Sequence, residues 1–189
     1  MNPFNKFNNW FNLAKKSFEF DPTAFALSTS LNNKPDVRMV LLKKILPDGF
    51  VFFTNIKSNK GKQFVKNNNL AMCFYWESLK KQIRISGKGS IINDKDSDLY
   101  FSSRPRKSQL GAWASKQSTE IRSRKVLTNR FKEYEKKFEK IQVSRPPYWV
   151  GIKISPTCFE FWQGNNFRLH DREVYKLKQK TWQKKILSP

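Results

Sequence analysis

Three clusters in this chain combine residue types and spacings that could do chemistry. The first is Arg38-Met39-Val40-Leu41-Leu42-Lys43, where two cations flank an apolar run. Side chains alternate across an extended strand, so Arg38 and Lys43 are expected on opposite faces, where they would suit two separate anionic groups. An ordinary strand with solvent-facing cations is the plainer alternative. The second cluster runs from Tyr100 through Arg104, Arg106 and Ser108 to Gly111 and Trp113. Arginine, serine and tyrosine donors converging at a helix-to-loop transition would make a phosphate cradle, because charge-assisted hydrogen bonds are the strong ones. A polar surface loop would carry the same residues. The third runs from Phe161 and Trp162 to Arg168, Leu169, His170 and Arg172. In an extended segment Arg168, His170 and Arg172 share one face. A lone histidine is more often structural than catalytic. Two arginines beside it point to an anion, or to an aromatic ring on which a guanidinium can stack.

The rest of the sequence narrows the chemistry. A single histidine in 189 residues excludes a multi-histidine metal site, and Cys73 and Cys158 form no CxxC pair and no zinc-type cluster. Both cysteines sit in apolar runs and are expected as buried structural thiols. There is no G-x-G-x-x-G, Walker or G-x-S-x-G motif. Gly87-Lys88-Gly89-Ser90 lacks the order of a phosphate loop and is read as a hairpin. Any redox chemistry would be carried by a cofactor, since these side chains do not supply it. Thirty-seven Lys and Arg against fifteen Asp and Glu give a net charge of +22, which favours anionic partners. The lysines are scattered rather than blocked, so no nucleic-acid partner is expected. No apolar run approaches the roughly 20 residues of a membrane span, and residues 1–20 lack a signal-peptide core. A soluble, cytoplasmic protein with no membrane partner is expected.

The elements that must position these clusters follow from periodicity. Phe4, Phe7, Trp10 or Phe11, Ala14 and Phe18 predict an amphipathic helix within residues 1–20, ending before Asp21-Pro22. Short β-type runs follow at 24–29, 37–45, 50–54, 70–76 and 81–92, with a short helix at 60–67. Residues 94–102 read as a helix stopped by Arg104-Pro105. Ile121, Leu127, Phe131, Tyr134, Phe138 and Ile141 mark a long helix, with Glu133 and Lys137 as an i,i+4 pair. Late strands are expected at 149–154, 158–162, 174–177 and 181–187. This pattern predicts one domain, α+β and mainly β: an antiparallel barrel with peripheral helices.

Taken together, the motifs resemble the pyridoxamine 5′-phosphate oxidase family over nearly the whole chain, from Asp21-Pro-Thr-Ala24 to Leu187-Ser-Pro189. They are Arg38 to Lys43, Phe53-Thr-Asn55, Ser103-Arg-Pro-Arg106 with Ser108-Gln and Gly111-Ala-Trp113, Ser115-Lys-Gln-Ser118, and Glu160-Phe-Trp-Gln-Gly164 with Arg168-Leu-His-Asp-Arg172. The resemblance implies an FMN-binding split β-barrel, residues 1–20 forming an N-terminal helix and 21–189 the oxidase core. It implies a homodimer with flavin and substrate at the subunit interface. The implied reaction converts pyridoxamine or pyridoxine 5′-phosphate to pyridoxal 5′-phosphate with O2 as acceptor, releasing H2O2, and ammonia from the amine. The implied FMN contacts are Arg38, Met39, Val40, Leu41, Leu42, Lys43, Phe53, Thr54, Asn59, Lys60, Gln82, Gln117, Ser118, Trp162 and Arg172. The implied substrate contacts are Lys43, Tyr100, Arg104 and Ser108 for the phosphate, and Arg168, Leu169 and His170 beside the ring. Arg168 and His170 are the implied catalytic pair, and no metal is implied. Two features depart from the family pattern. Asn59 precedes Lys60 where many relatives carry Arg, so a weakened hold on the FMN phosphate is expected. The first helix also starts near Met1, where relatives often have a longer basic arm over the substrate. Two other classes compete with this reading: a split-barrel flavin carrier or reductase, and a basic nucleic-acid-binding protein. The colour of the purified protein and peroxide release on adding pyridoxamine 5′-phosphate separate them.

Overall fold

The structure, a computed structural model, describes residues 2–16 and 20–189. Helix α1 (Pro3–Ala14) begins where Asn2 accepts a side-chain hydrogen bond from the Phe4 amide and Pro3 pre-sets the first turn. Its buried face is Phe4, Phe7, Phe11 and Ala14, as the spacing predicts, whereas Phe18 lies outside the described residues. Strands β1 (Ala24–Leu31) and β2 (Lys34–Leu41) are joined by Asn32 and Asn33 at φ 50° and 60°, the left-handed pair that suits a tight hairpin. Then come β3 (Lys44–Leu46), β4 (Gly49–Asn55), α2 (Asn59–Lys66), β5 (Asn69–Trp76) and β6 (Lys81–Ile91). Helices α3 (Asp94–Ser102), α4 (Arg106–Ala114) and α5 (Arg124–Lys137) precede β7 (Trp149–Gln163), β8 (Asp171–Lys178) and β9 (Thr181–Leu187).

The strands form one sheet in the order β2-β1-β5-β6-β7-β4-β3, with β8 on β7 and β9 on β8, and every pairing is antiparallel. Strand β7 is the divider. One edge lies along β6, while the other pairs with β4 over residues 149–154 and with β8 over residues 158–163. The expected split-barrel, mainly β class with peripheral helices is what the chain adopts. Phe4, Phe7 and Phe11 of α1 pack on Phe50, Phe74, Trp76 and Phe159, so the aromatic excess fills a core. A second cluster, centred on Phe101, Leu110, Phe138, Val143 and Trp149, sits under α3, α4 and α5.

Several expectations need correction. The run at 37–45 is broken: β2 ends at Leu41, Leu42 is buried, and the Lys43 amide donates to the Val51 carbonyl before β3 begins. The alternation therefore stops short of Lys43, and Arg38 and Lys43 line the same cavity rather than opposite faces. Residues 87–90 are not a hairpin but continue β6, with a register shift at Ser86/Gly87. A Cβ at Gly87 would lie 2.2 Å from the Ser155 carbonyl oxygen, which is why glycine stands there. The two late strands at 149–154 and 158–162 are one, with Pro156 tolerated at that irregularity. Helix α5 excludes Ile121 and Ile141, which are exposed, and Lys137 Nζ lies over the rings of Trp113, Tyr134 and Phe138 at 5.9, 5.9 and 5.8 Å. Cys73 and Cys158 are half-buried, and that burial pushes both thiols up.

Glu173 on β8 ties the barrel to α1. Burial opposes its charge, but Lys6 Nζ at 2.6 Å, Lys184 Nζ at 3.0 Å and the Tyr175 hydroxyl at 3.0 Å donate to it and hold its pKa down at about 2. A carboxylate held below its ordinary value stabilises the fold above about pH 4.5 and loses that contribution as pH falls toward 2. Glu173→Gln should lower Tm by about 2–6 °C at pH 7. The gap should narrow through pH 4 to 3 in a pH series of thermal melts. A gap that stays constant with pH would show that the network adds nothing through ionisation.

Candidate functional site

A cavity of about 710 Å³ opens between the β2–β4 wall and helices α3 and α4. Arg38, Met39, Val40, Leu41 and Lys43 form one side, Phe53, Thr54 and Lys60 another, and Tyr100, Arg104, Ser108 and Gln117 a third. Sequence reasoning named all of these. It did not assign Asn55, Gly111, Ala112, Ser115 or Trp149, which also line the space. Among the described residues, four cations and no carboxylate face it. A cleft lined by one sign of charge concentrates the opposite sign, so the chemistry is that of an anionic ligand.

Three of the four cations, Arg38, Lys60 and Arg104, are held differently. Arg38 is spent on the protein: Nη1 donates to Thr29 Oγ1 at 2.6 Å, Nη2 to Gln63 Oε1 at 3.3 Å, and Asp36 pairs with the guanidinium. Lys60 donates to Ser58 Oγ at 3.3 Å and Gln117 Oε1 at 3.4 Å; burial, then the nearby Arg38, lower its pKa. Arg104 is the exception. Its Nη1 is buried with no hydrogen-bond partner among the described residues, and burial lowers the guanidinium's pKa. A buried, unanswered donor costs free energy unless something absent from the protein chain accepts from it.

The local sequence explains how Arg104 reaches this position. Ser103 ends α3, Pro105 starts α4, and the expected loop is instead a second helix. The buried Gln109 side chain donates to the carbonyls of Phe101, Ser102 and Arg104, each at 3.0 Å, and so satisfies the end of α3. Arg104 is thereby fixed at a sharp helix–helix corner. Gly111 lies on α4 rather than in a loop, and a Cβ there would meet nothing within 4 Å.

A second group of expected residues does not line this cavity. Gln82, Trp162 and Arg172 are direct neighbours across β6, β7 and β8. Arg172 donates to Glu160 Oε1 through Nε at 3.1 Å and Nη2 at 2.9 Å. The segment before β8 is not extended: Phe167 and Arg168 sit at φ 53° and 63°, so Arg168, His170 and Arg172 do not form the expected single extended face. His170 is anchored instead, its Nδ1 accepting from the Asn165 amide at 3.1 Å and its ring 4.7 Å from Trp162. Arg168 and Leu169 are exposed. Asn59 and Ser118 are exposed and Leu42 is in the core, and none of the three lines the cavity.

Comparison with known proteins gives this geometry a family. Residues 13–138 match the family described as pyridoxamine 5′-phosphate oxidase, and residues 149–189 match the pyridoxine 5′-phosphate oxidase C-terminal dimerisation region. The chain belongs to the pyridoxamine 5′-phosphate oxidase family. A pyridoxine/pyridoxamine 5′-phosphate oxidase of Zymomonas mobilis is 45% identical over 188 residues, covering 99% of this chain and 98% of that one. One from Pelagibacter ubique is 46% identical, covering 100% and 92%. Among solved structures, PhzG from Burkholderia lata 383, in complex with tetrahydrophenazine-1-carboxylic acid, superposes with TM-score 0.93 at 26% identity, covering 99% and 92%. A pyridoxamine 5′-phosphate oxidase-related, FMN-binding protein from Nostoc punctiforme gives TM-score 0.79 at 16% identity, covering 100% and 99%, a likeness of fold. The expected membership of the pyridoxamine 5′-phosphate oxidase family, and the expected oxidase, are met. Among the described residues no helix is long and apolar enough to cross a membrane.

Proposed function

We propose that this chain is an FMN-dependent oxidase of pyridoxamine 5′-phosphate and pyridoxine 5′-phosphate, a single-domain cytoplasmic enzyme working as a homodimer. Pyridoxal 5′-phosphate is the product, O2 the acceptor and H2O2 the by-product, with ammonia released from the amine. The observation that carries this reading is the buried Arg104 Nη1 without an acceptor among the described residues, in a cavity that these residues line with four cations and no acid. A phosphate dianion answers both features. The ligand of the PhzG structure is named as a carboxylic acid, a weaker match to four cations.

The donor set suits FMN as well. Lys60, Gln117 and Thr54 would hold its phosphate with Arg38 adding field, and the β2 backbone with Met39, Val40 and Leu41 would face its ring system. When bound, FMN supplies a two-electron acceptor for a substrate C–H bond. Tyr100, Arg104 and Ser108 would bind and orient the substrate phosphate, with Lys43 adding charge. Arg168 would lie on the substrate ring and stabilise charge developing there. His170 is a residue of orientation: with Nδ1 engaged by Asn165, Nε2 is the ring nitrogen left to meet a ligand.

The homodimer reading has its own support. Residues 149–189 match a dimerisation region, and the edge strand β2 exposes Val37, Met39 and Leu41 on one face. Arg168, His170 and Arg172 fall outside the cavity of their own chain, so a second chain would bring them to it. Purified protein should be yellow, with one non-covalent FMN per chain and a dimer mass by light scattering. It should consume O2 and release peroxide with pyridoxamine 5′-phosphate. A monomer holding stoichiometric FMN would contradict the shared site.

Asn59 offers a sharper test of the cofactor site. It is exposed at the start of α2, whose first-turn amides already favour an anion. Neither Lys57, whose Nζ lies 5.4 Å from the Tyr148 ring centre, nor Lys62 lines the cavity to replace an arginine fork. Asn59→Arg should tighten FMN binding to the apoprotein by about 1–3 kcal/mol, with a steeper salt dependence. Titration by flavin fluorescence quenching reads this. Equal or weaker affinity would show that position 59 does not face the phosphate.

A further inference from the structure

We propose that Trp149 is a positioning residue for the substrate phosphate: its indole face holds the Arg104 guanidinium in place while leaving the guanidinium's N–H groups to the ligand. This rests on the reading of Arg104 as a phosphate-binding residue. Arg104 Cζ lies 4.9 Å from the Trp149 ring centre and 5.6 Å from that of Phe101. Among the described residues the Nη1 atom has no acceptor, so no hydrogen bond from them fixes that end of the side chain. Ring faces do. An aromatic quadrupole attracts a cation without consuming a donor, whereas a carboxylate partner would neutralise the charge and occupy the fork. Arg38, in the same cavity, shows the other arrangement, with Asp36 and Gln63 taking its donors.

Trp149 is built to be rigid. It is 7% exposed and opens β7, opposite Asn55. Its amide donates to the Pro146 carbonyl at 2.9 Å, and its carbonyl accepts from Arg145 Nη1 at 2.7 Å. Its ring stacks on Phe53 at 4.9 Å and 9°, and Phe53 stacks on Tyr100 at 4.2 Å and 15°. The stack thus runs from Tyr100 to Arg104, two cavity residues four apart in sequence, through two rings supplied by the sheet. A platform fixed to the sheet transfers the sheet's order to a side chain at a helix corner.

The test uses the FMN-loaded protein and four variants: Trp149→Phe, Trp149→Leu, Arg104→Ala and the double variant Arg104→Ala/Trp149→Leu. Trp149→Leu should raise KM for pyridoxamine 5′-phosphate, and Kd for pyridoxal 5′-phosphate, about tenfold, or about 1.4 kcal/mol. Its kcat and FMN content should stay within about twofold. Trp149→Phe keeps a ring and should restore KM to within about threefold of the parent. In the Arg104→Ala background, Trp149→Leu should add almost nothing, because the two residues act as one unit. If Trp149→Leu fails to fold, Trp149→Met replaces it, being unbranched and without a ring. An unchanged KM, an equal loss in the Phe and Leu variants, or a full additive effect in the Arg104→Ala background would overturn the proposal. Absence of turnover and of pyridoxal 5′-phosphate binding in the parent protein would instead overturn the functional reading beneath it.

Discussion

Arg104→Ala should raise the KM for pyridoxamine 5′-phosphate by about 10–100-fold. A hydrogen bond from a charged donor contributes about 1.5–3 kcal/mol, and each 1.4 kcal/mol is a factor of ten. Arg104 stands toward the upper part of that range because its Nη1 is already buried and unanswered. The protein has met the desolvation cost in advance, and the ligand collects the interaction. FMN content should not change. Pyridoxamine without its phosphate should be an equally poor substrate for parent and variant. That second comparison matters, because a general loosening of the α3–α4 corner would harm both substrates. An unchanged KM for the phosphorylated substrate would place the phosphate elsewhere.

The second large effect is expected at the loop before β8. Arg168→Ala should lower kcat/KM by about 10²–10³, the usual cost of losing a group that meets charge developing in the transition state. His170→Ala should cost less, about tenfold. Its Nδ1 is tied to the Asn165 amide and its ring to Trp162, so its removal loosens the loop rather than deleting a charge. Phe167 and Arg168 both occupy left-handed backbone, which costs each non-glycine residue about 1–3 kcal/mol and persists only where the surroundings enforce it. Asn165 provides part of that enforcement, its side-chain amide donating to the Leu169 carbonyl at 3.2 Å and to the Asp171 carboxylate at 2.9 Å. Steady-state kinetics with flavin quantification in each variant decide the matter. Loss of FMN from both would assign the pair to cofactor binding instead.

What could be read from the sequence depended on how local the information was. Helix α1 was legible because a phenylalanine every three or four residues has one physical solution, a buried stripe. The cavity wall from Arg38 to Lys43 and the Tyr100, Arg104, Ser108 set were found because their donors lie close together in the chain. Trp149 was read only as a strand residue, although it lies under Arg104. Forty-five positions separate the two, and the packing of α3 on β7 brings them together, with Phe101 edge-on to Trp149 and the Gly151 amide donating to Ser97 Oγ. Helix α4 was missed because Pro105 looks like a stop. It is also a start, and Gln109 caps the preceding helix from within the next one. The strand parity argument failed at Lys43 because alternation holds only while the strand lasts, and β2 ends two residues earlier. The extended face assumed for Arg168 to Arg172 failed for the same reason, since β8 begins only at Asp171.

The central claim is that this chain moves electrons from a phosphorylated B6 vitamer to bound flavin. Its most direct test is anaerobic mixing of the yellow protein with one equivalent of pyridoxamine 5′-phosphate, followed by visible absorbance. The account predicts loss of the flavin band, appearance of pyridoxal 5′-phosphate in matching amount, and return of the band with peroxide release on admitting air. Arg168→Ala should bleach about a hundredfold more slowly while holding its full complement of FMN. A flavin band that stays unchanged in the parent protein at saturating pyridoxamine 5′-phosphate and pyridoxine 5′-phosphate would contradict it.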